Sequence, residues 1–228
     1  MKPSASTDFV RDYYDQLAPE YDLNRFGNTY GRYIDAQERT FLKRFLQKGE
    51  GNILDAGCGT GRLSNFATHG ADISLEMLKI AASKYPDKTF INGSITTMPF
   101  EDTFFDLVFS FHVMMHQSAN SLTVVLQEMY RLLKPGGYFV FDFPSAHRRN
   151  LLRQTSTGWH AATSFRISDI REHINQHWKL VLYKGVAFLP IHRIPVFIRP
   201  VLLPVDELLS VSPIRHYASY LIIVLQKQ

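Results

Sequence analysis

Three glycines at every second position are the residues whose spacing points most directly to chemistry. Gly57, Gly59 and Gly61 follow the apolar run at residues 53–56. Glycine reaches positive φ and, without a Cβ, lets a ligand approach the backbone closely. A strand that runs into such a loop and a helix start is typical of the nucleotide-binding corner of an open α/β sheet. The dinucleotide fingerprint G-x-G-x-x-G would need its third glycine at position 62, which is Arg62.

Two histidines are the candidates for proton transfer. His112 and His116 follow a predicted buried strand over 104–110, at the sheet edge where ligands bind. A neutral imidazole can take a proton from a hydroxyl or an amine, although the sequence favours a packing role or one at a helix N-terminus over that of a base for both residues. The chain has no H-E-x-x-H, C-x-x-C or carboxylate cluster, so no metal is predicted. We interpret the single cysteine, Cys58, as a small filler of the glycine loop.

The elements that position these residues alternate between strand and helix patterns. We predict helices over 8–25, with Asp8 as N-cap and a break at Pro19, and over 30–48 and 118–134. Strands are predicted at 52–56, near 72, and at 88–92, 104–110, 138–142, 180–188 and 219–225, with a short helix at 168–174. This order predicts an α/β fold: a single doubly wound, Rossmann-like domain whose seven-stranded sheet is mainly parallel with an antiparallel C-terminal strand.

Three segments together resemble the class I S-adenosylmethionine (SAM) dependent methyltransferases, of the small-molecule, methyltransferase type 11-like kind. They are Ile-Leu-Asp-Ala-Gly-Cys-Gly-Thr-Gly at 53–61, Asp72-x-Ser74, and Arg-Leu-Leu-Lys-Pro-Gly-Gly-Tyr-Phe at 131–139. The resemblance implies SAM as cofactor, with the glycine loop at its methionine and ribose and Asp72 at the ribose hydroxyls. The residues that it assigns to the cofactor are Asp55, Gly57, Gly59, Gly61, Asp72, Ile73, Met77, Ser94, Ile95, Ser110, Phe111 and, from an N-terminal lid, Tyr21.

Two features depart from the pattern of that family. Ser94 stands where many relatives carry an aspartate toward the adenine, so this contact should be weaker. Only 15 residues separate Gly57 from Asp72, whereas about 20 are usual in the comparable dinucleotide pattern. We therefore expect a crossover helix of about two turns, and either a short, displaced second strand or a disordered one with an impaired ribose site.

The predicted function is methyl transfer to a small-molecule acceptor, either apolar or anionic. One alternative is a non-catalytic relative that serves as a binding or partner subunit, and the other is a nicotinamide-dependent oxidoreductase, which Arg62 argues against. Within one methyltransferase domain (1–228), we expect a helical lid at 1–48, a SAM-binding core at 49–142 and a substrate-side segment at 143–228. Inside the last, residues 189–213 are expected to form a second lid, in which five prolines forbid a long continuous helix.

The charge and composition of the chain limit the classes of binding partner that we expect. Residues 143–217 carry 10 Lys or Arg against 4 Asp or Glu, while the whole chain has a formal net charge of +4. No basic run with interleaved aromatics predicts nucleic-acid binding, and a basic, apolar segment leaves peripheral membrane or lipid contact open. With one cysteine, no signal peptide and no long apolar run, a cytoplasmic location is the expectation. The sequence leaves the oligomeric state open.

Overall fold

One seven-stranded sheet organises the protein, which we describe from a computed structural model covering residues 7–46, 51–153, 163–174 and 176–228. Its strands are β1 (Ile53–Ala56), β2 (His69–Asp72), β3 (Thr89–Asn92), β4 (Phe105–Ser110), β5 (Leu133–Pro144), β6 (Trp178–Val186) and β7 (Tyr220–Lys227). Their order is β3-β2-β1-β4-β5-β7-β6. β7 is antiparallel to both of its neighbours and the other pairs are parallel, which confirms the predicted fold class.

Helices cover both faces of this sheet. They are α1 (Thr7–Leu17), α2 (Tyr21–Phe26), α3 (Thr29–Phe45), α4 (Leu75–Lys84), α5 (Ala119–Leu132), α6 (Ala146–Leu151), α7 (Ile167–His173) and α8 (Arg199–Val211). Side chains alternate between two cores along each strand. In β5, Phe139 and Phe141 pack on the face that α5 covers, whereas Val140 packs with Leu42 of α3 on the other.

The N-terminal helix predicted over 8–25 is broken at Pro19, as the sequence predicts. It divides into α1, a 3-10 turn over Ala18–Glu20, and α2. Pro19 lies in the turn and has no N–H to continue a helical ladder. Asp8 lies within the first turn of α1 rather than at its cap. The predicted end of the next helix, near residue 48, lies outside the described residues.

The crossover between β1 and β2 is shorter than expected but leaves β2 in place. Instead of a two-turn helix it contains only a 3-10 turn over Ser64–Phe66. Thr68 fixes the position at which the chain returns to the sheet. Its N–H donates to the Ile53 carbonyl (2.9 Å) and its hydroxyl accepts from the Ile53 N–H (2.8 Å). β2 then pairs with β1 from Leu54↔His69 onward. The expectation of a displaced or disordered strand is therefore wrong.

Two proline-containing segments also differ from their predictions. The Lys134-Pro135-Gly136-Gly137 stretch is a bulge inside β5, since the pairing of β5 with β4 jumps from Phe105↔Leu133 to Leu107↔Tyr138. In α8, Pro204 lies inside a 13-residue helix, contrary to the prediction that prolines exclude one. The helix loses the hydrogen bond that a residue at this position would donate, and its buried Asp206 carboxylate holds it against the fold by bonds to Gln37 and Leu189.

Candidate cofactor and acceptor site

The glycine loop presents one glycine to open space and packs the other two. Gly57, Gly59 and Gly61 have φ values of 80°, 53° and 80°. A Cβ on Gly57 would lie 2.3 Å from Cγ2 of Val113, and one on Gly61 would lie 3.2 Å from Cβ of Ala81. A Cβ on Gly59 would meet only Cε1 of Tyr21, at 3.9 Å. Gly59 is therefore the position where the missing side chain leaves room for a ligand.

The carboxylate of Asp72 lies directly against this loop. Its Oδ2 accepts a hydrogen bond from the Gly59 N–H (2.8 Å), and its Oδ1 accepts one from the Ser74 N–H (2.9 Å). Burial raises the pKa of Asp72, while these backbone donors favour its charged form. Each carboxylate oxygen retains a lone pair after these bonds. Asp72 can thus fix the loop and still accept two hydroxyl donors.

A cavity of about 530 Å³ opens above the carboxyl ends of β1, β2 and β4. This volume lies within the range of about 300–1,000 Å³ that is usual for small-molecule sites. Most of the residues predicted for the cofactor, and both candidate histidines, line it: Tyr21, Gly57, Gly59, Asp72, Ile73, Met77, Ser94, Ile95, Phe111, His112 and His116. Residues of α1 and of the segment that leads into and through the first turns of α5 also line the cavity, and we call this part its outer half: Thr7, Val10, Tyr14, Gln117, Ser118, Ser121 and Val124. Val113 lines the cavity as well, but it lies against Gly57.

Three residues predicted for the cofactor do not line this cavity. Asp55 is buried at the end of β1 and accepts a hydrogen bond from the Ser64 hydroxyl (2.9 Å). Gly61 packs against Ala81 on the far side of the loop. The Ser110 hydroxyl is buried without a hydrogen-bond partner among the described residues. These positions support the loop from below, so any contact of theirs with a cofactor stays a prediction.

The N-terminal segment is tied over the cavity by hydrogen bonds. Asp15 of α1 accepts from the Ser74 hydroxyl (2.5 Å). Asp22 of α2 accepts from the hydroxyl of Thr60 in the glycine loop (2.5 Å). These bonds hold Tyr14 and Tyr21, whose rings contact each other edge to face, at the cavity wall. The described part of the segment therefore borders the cavity, and its role as a lid stays a prediction.

The second predicted lid, residues 189–213, lies elsewhere. No residue of this segment lines the cavity. The Asp206 carboxylate in α8 accepts from the Gln37 amide (2.5 Å) and from the Leu189 N–H (2.6 Å). Arg199 donates to the hydroxyl of Thr29 (2.8 Å). The segment packs beside α3, so the structure does not support its predicted role as a cover of the acceptor site.

His112 belongs to a buried network of charges. Its Nε2 lies 2.8 Å from Oε1 of Glu38 and its Nδ1 lies 3.5 Å from Oδ2 of Asp142. Arg62 contacts the other oxygen of Glu38 (2.8 Å). Burial alone lowers the pKa of His112, but the two carboxylates outweigh it and raise the pKa. Burial likewise raises the pKa of Glu38, and His112 and Arg62 together lower it.

This network decides between the two candidate histidines. Both ring nitrogens of His112 face carboxylates, so neither is available to an acceptor in this arrangement. Glu38, His112 and Asp142 do offer potential ligand atoms within 4.8 Å of one another, but the Arg62 guanidinium already neutralises Glu38. His116 differs, because its Nε2 bonds to the Tyr14 hydroxyl (2.8 Å) at the cavity wall.

Sequence reasoning missed Glu38, Asp142 and the lid aspartates. Glu38 had a detectable signal, since it shares the apolar face of α3 with Ile34, Phe41 and Leu42 at helical spacing. A carboxylate at such a position is nearly always paired. Asp15 and Asp22 carried no signal, because exposed-looking acidic residues in an amphipathic helix have no identifiable partner in the sequence.

Known proteins resemble this chain in sequence and fold. The family described as methyltransferase domain matches residues 54–141. Malonyl-(acyl-carrier protein) O-methyltransferase of Pectobacterium atrosepticum is 30% identical over 200 residues, which cover 77% of each chain. Demethylmenaquinone methyltransferase of Chlorobaculum tepidum is 32% identical over 158 residues, covering 64% of this chain and 63% of that protein. The chain spans only 50–64% of the length of the first four curated relatives that it matches.

A solved structure shares the fold at low sequence identity. Magnesium protoporphyrin IX methyltransferase of Synechocystis PCC 6803, with bound SAH, superposes with a TM-score of 0.70 and 16% identity over 98% of this chain and 100% of that one. Together with the cavity geometry, the sequence relatives establish that the chain belongs to the SAM-dependent methyltransferase family. In the part of the chain that the structure describes, no helix combines the length and apolar character needed to cross a bilayer.

Proposed function

We propose that the protein transfers a methyl group from SAM to a small molecule bound in the outer half of the cavity. The observation that carries this proposal is the open space at Gly59 beside the Asp72 carboxylate. The residues fit SAM, because Gly59 leaves room where a Cβ would stand and Asp72 retains two acceptor sites for a ribose diol. Ile73, Met77, Ser94 and Ile95 would border the adenine, and Phe111 the methionine.

Methyl transfer from SAM requires little chemical participation from the side chains of the protein. Bound SAM supplies a methyl group already activated by the positive sulfur. The protein then has to align an acceptor atom with that group and exclude water. Tyr14, Tyr21 and the lid tethers serve the exclusion of water in this proposal.

An apolar acceptor fits the cavity better than an anionic one. Val10 and Val124 line the outer half, with Gln117 and Ser121 as polar contacts. No Lys or Arg is among the described residues that line the cavity, so an anionic group would find no cation there. The proposed acceptor therefore has an apolar body and a neutral polar atom that receives the methyl group.

The cofactor site is tested by Gly59→Asn. Asparagine tolerates the left-handed conformation better than other side chains, so the backbone is kept while the new amide fills the space beside Tyr21. We expect the affinity for SAH, measured by isothermal titration calorimetry, to fall at least about tenfold. Gly136→Asn is the matched control, because Gly136 has φ 79°, does not line the cavity, and leaves a Cβ with nothing within 4 Å. Equal SAH affinity of the folded Gly59→Asn protein and the control would overturn the site.

Methyl transfer is tested with SAM labelled in its methyl group and the acceptors named by the relatives. The panel is demethylmenaquinone, a malonyl-acyl-carrier protein and magnesium protoporphyrin IX. We expect transfer to a member with a large apolar body. A protein that binds SAH and methylates none of them favours the alternative, a non-catalytic relative. The short crossover no longer favours that alternative, because β2 and Asp72 are in place; the uncharged Ser94 remains its only support.

We further propose His116 as the group that accepts a proton from the acceptor, with Tyr14 orienting it. Burial raises the pKa of Tyr14 well above its usual range, so it stays a neutral phenol. Its hydroxyl oxygen would accept from the Nε2–H of His116, and in that tautomer Nδ1 carries the lone pair that takes the proton. His116→Asn should lower the turnover rate by about 10²-fold or more, which is the usual contribution of a positioned base. The SAH affinity should stay unchanged. His192→Asn, at an exposed histidine beside Tyr30, is the control. A full turnover rate in the His116→Asn protein would exclude this role.

A further inference from the structure

Helix α8 presents an apolar face to solvent. Phe197, just before it, is 81% exposed, and Val201 and Leu208 within it are 74% and 69% exposed. Val201, Val205 and Leu208 follow one another at helical spacing, with Val211 one turn further. Soluble domains rarely expose contiguous apolar surface of this kind unless something binds there. We call Phe197, Val201, Val205, Leu208 and Val211 the α8 apolar face.

No free negative charge borders this face on α8 itself. Asp206 is fully buried and bonded to Gln37 and Leu189. Glu207 is neutralised by the Lys184 ammonium at 2.6 Å, and it has Arg44 of α3 at 4.0 Å. The outer surface of the helix is therefore apolar and uncharged. The hydrogen bonds of Asp206 and the ion pair of Glu207 on its inner side hold the helix in place.

Exposed positive charges lie on the neighbouring helix α3 and in the turn before α8. The side chain of Arg44 is 71% exposed, and it comes from α3, which runs beside α8. Lys43 and Arg32 are further exposed cations of α3, and Arg193 is exposed in the turn that precedes α8. An apolar helix face with a cationic border is the arrangement that lies in the headgroup region of an anionic bilayer, where the apolar residues enter the acyl boundary and the cations meet the phosphates.

We infer that the α8 apolar face attaches the protein peripherally to an anionic lipid surface. Charge complementarity distinguishes this occupant from a second copy of the chain. Two copies meeting through this face would bring Arg44, which lies beside Glu207 of α8, and Arg193, in the turn before α8, close to the same residues of the other copy, and like charges would repel. A bilayer of anionic lipids instead supplies the opposite charge to every one of these side chains. The inference is independent of the catalytic proposal, because no residue of this face lines the cavity.

Vesicle co-sedimentation tests the inference with phosphatidylcholine vesicles in which about one lipid in three is the anionic phosphatidylglycerol. The protein should bind these vesicles, bind pure phosphatidylcholine much less, and lose binding as salt is raised. The triple variant Phe197→Ser, Val201→Ser, Leu208→Ser should reduce binding at least about tenfold. Its control is Leu23→Ser with Leu151→Ser, at side chains 74% and 66% exposed on other elements.

The cationic border is tested separately by Arg44→Gln with Arg193→Gln. This pair should weaken binding to the anionic vesicles, whereas Lys79→Gln with Lys179→Gln removes two exposed charges elsewhere and should not. Every variant is checked for fold by its circular dichroism and its SAH affinity, neither of which should change. Equal vesicle binding by the triple variant and its control overturns the inference. So does a concentration-dependent dimer that the triple variant abolishes in a protein that ignores vesicles.

Discussion

The carboxyl group of Asp55 is buried in a site that disfavours its charged form. It is fully buried below the glycine loop, and burial raises its pKa to about 7 in spite of the Ser64 hydroxyl that donates to it. An unfolded aspartate has a pKa of about 3.9. The folded protein therefore binds one more proton than the unfolded chain between these two values. Stability falls as the pH rises through that window, by at most about 1.4 kcal/mol per pH unit from this group.

Asp55→Asn should remove this dependence. The amide keeps the shape of the side chain and an oxygen for the Ser64 hydroxyl, but it does not titrate. We expect the free energy of unfolding of the variant, relative to the parent, to increase from pH 4 to pH 7 and then to level off. Urea denaturation at pH 5, 6, 7 and 8 measures it. Asp87→Asn, at an exposed aspartate, controls for the loss of one negative charge. Parallel stability curves of the parent and Asp55→Asn would contradict the assignment.

The position of single residues at the cavity was predictable where it depends on backbone conformation or on the end of a strand. Gly59 and Asp72 could be identified because a positive φ and a strand-ending carboxylate leave a pattern along the chain. His112 could not be interpreted correctly, since its partners Glu38 and Asp142 come from α3 and β5 and only the folded chain brings them to its ring. The sequence thus identified the histidine without the charges that occupy both of its nitrogens.

Among the secondary-structure elements, the wrong predictions came from the short β1–β2 crossover and from the prolines of residues 189–213, not from the spacing of motifs. The β1–β2 crossover is too short for a helix, yet the Thr68 side chain and backbone fix β2 in register with β1. In α8, Pro204 is accommodated because the helix is held by contacts with α3 and β6 rather than by its own hydrogen bonds alone. Local propensity cannot report such tertiary support.

The attachment of α8 should depend on Asp206. Asp206→Ala leaves the Gln37 amide and the Leu189 N–H without their acceptor in a buried site. Each orphaned donor costs about 1–3 kcal/mol, so the free energy of unfolding should fall by about 2–6 kcal/mol. Chemical denaturation measures the change. Leu208→Ala, on the exposed side of the same helix, should change stability by no more than about 0.5 kcal/mol. Similar stabilities of the two variants would show that α8 is held by other contacts.

For the whole molecule, the class of the sheet was predictable and the position of the C-terminal segments was not. Alternating strand and helix patterns suffice for a doubly wound sheet, because right-handed crossovers allow few other arrangements. No comparable rule predicts the position of residues 189–213, and their apolar composition is compatible both with a lid over the cavity and with an outer surface. What placed them beside α3 was the pairing of Gln37 with Asp206, two polar residues far apart in sequence.

The strand order also bears on the sequence of events during synthesis. β7 separates β5 from β6 in the sheet, although it follows both along the chain. While the ribosome is still translating α8, β6 has been made but its neighbour in the sheet has not, and the edge of β5 is open. Both edges consist largely of apolar residues, such as Phe141 and Phe143 of β5. Until β7 is inserted, β5 and β6 therefore lack the strand that pairs with both of them, and the sheet is completed only by the last element of the chain that the structure describes.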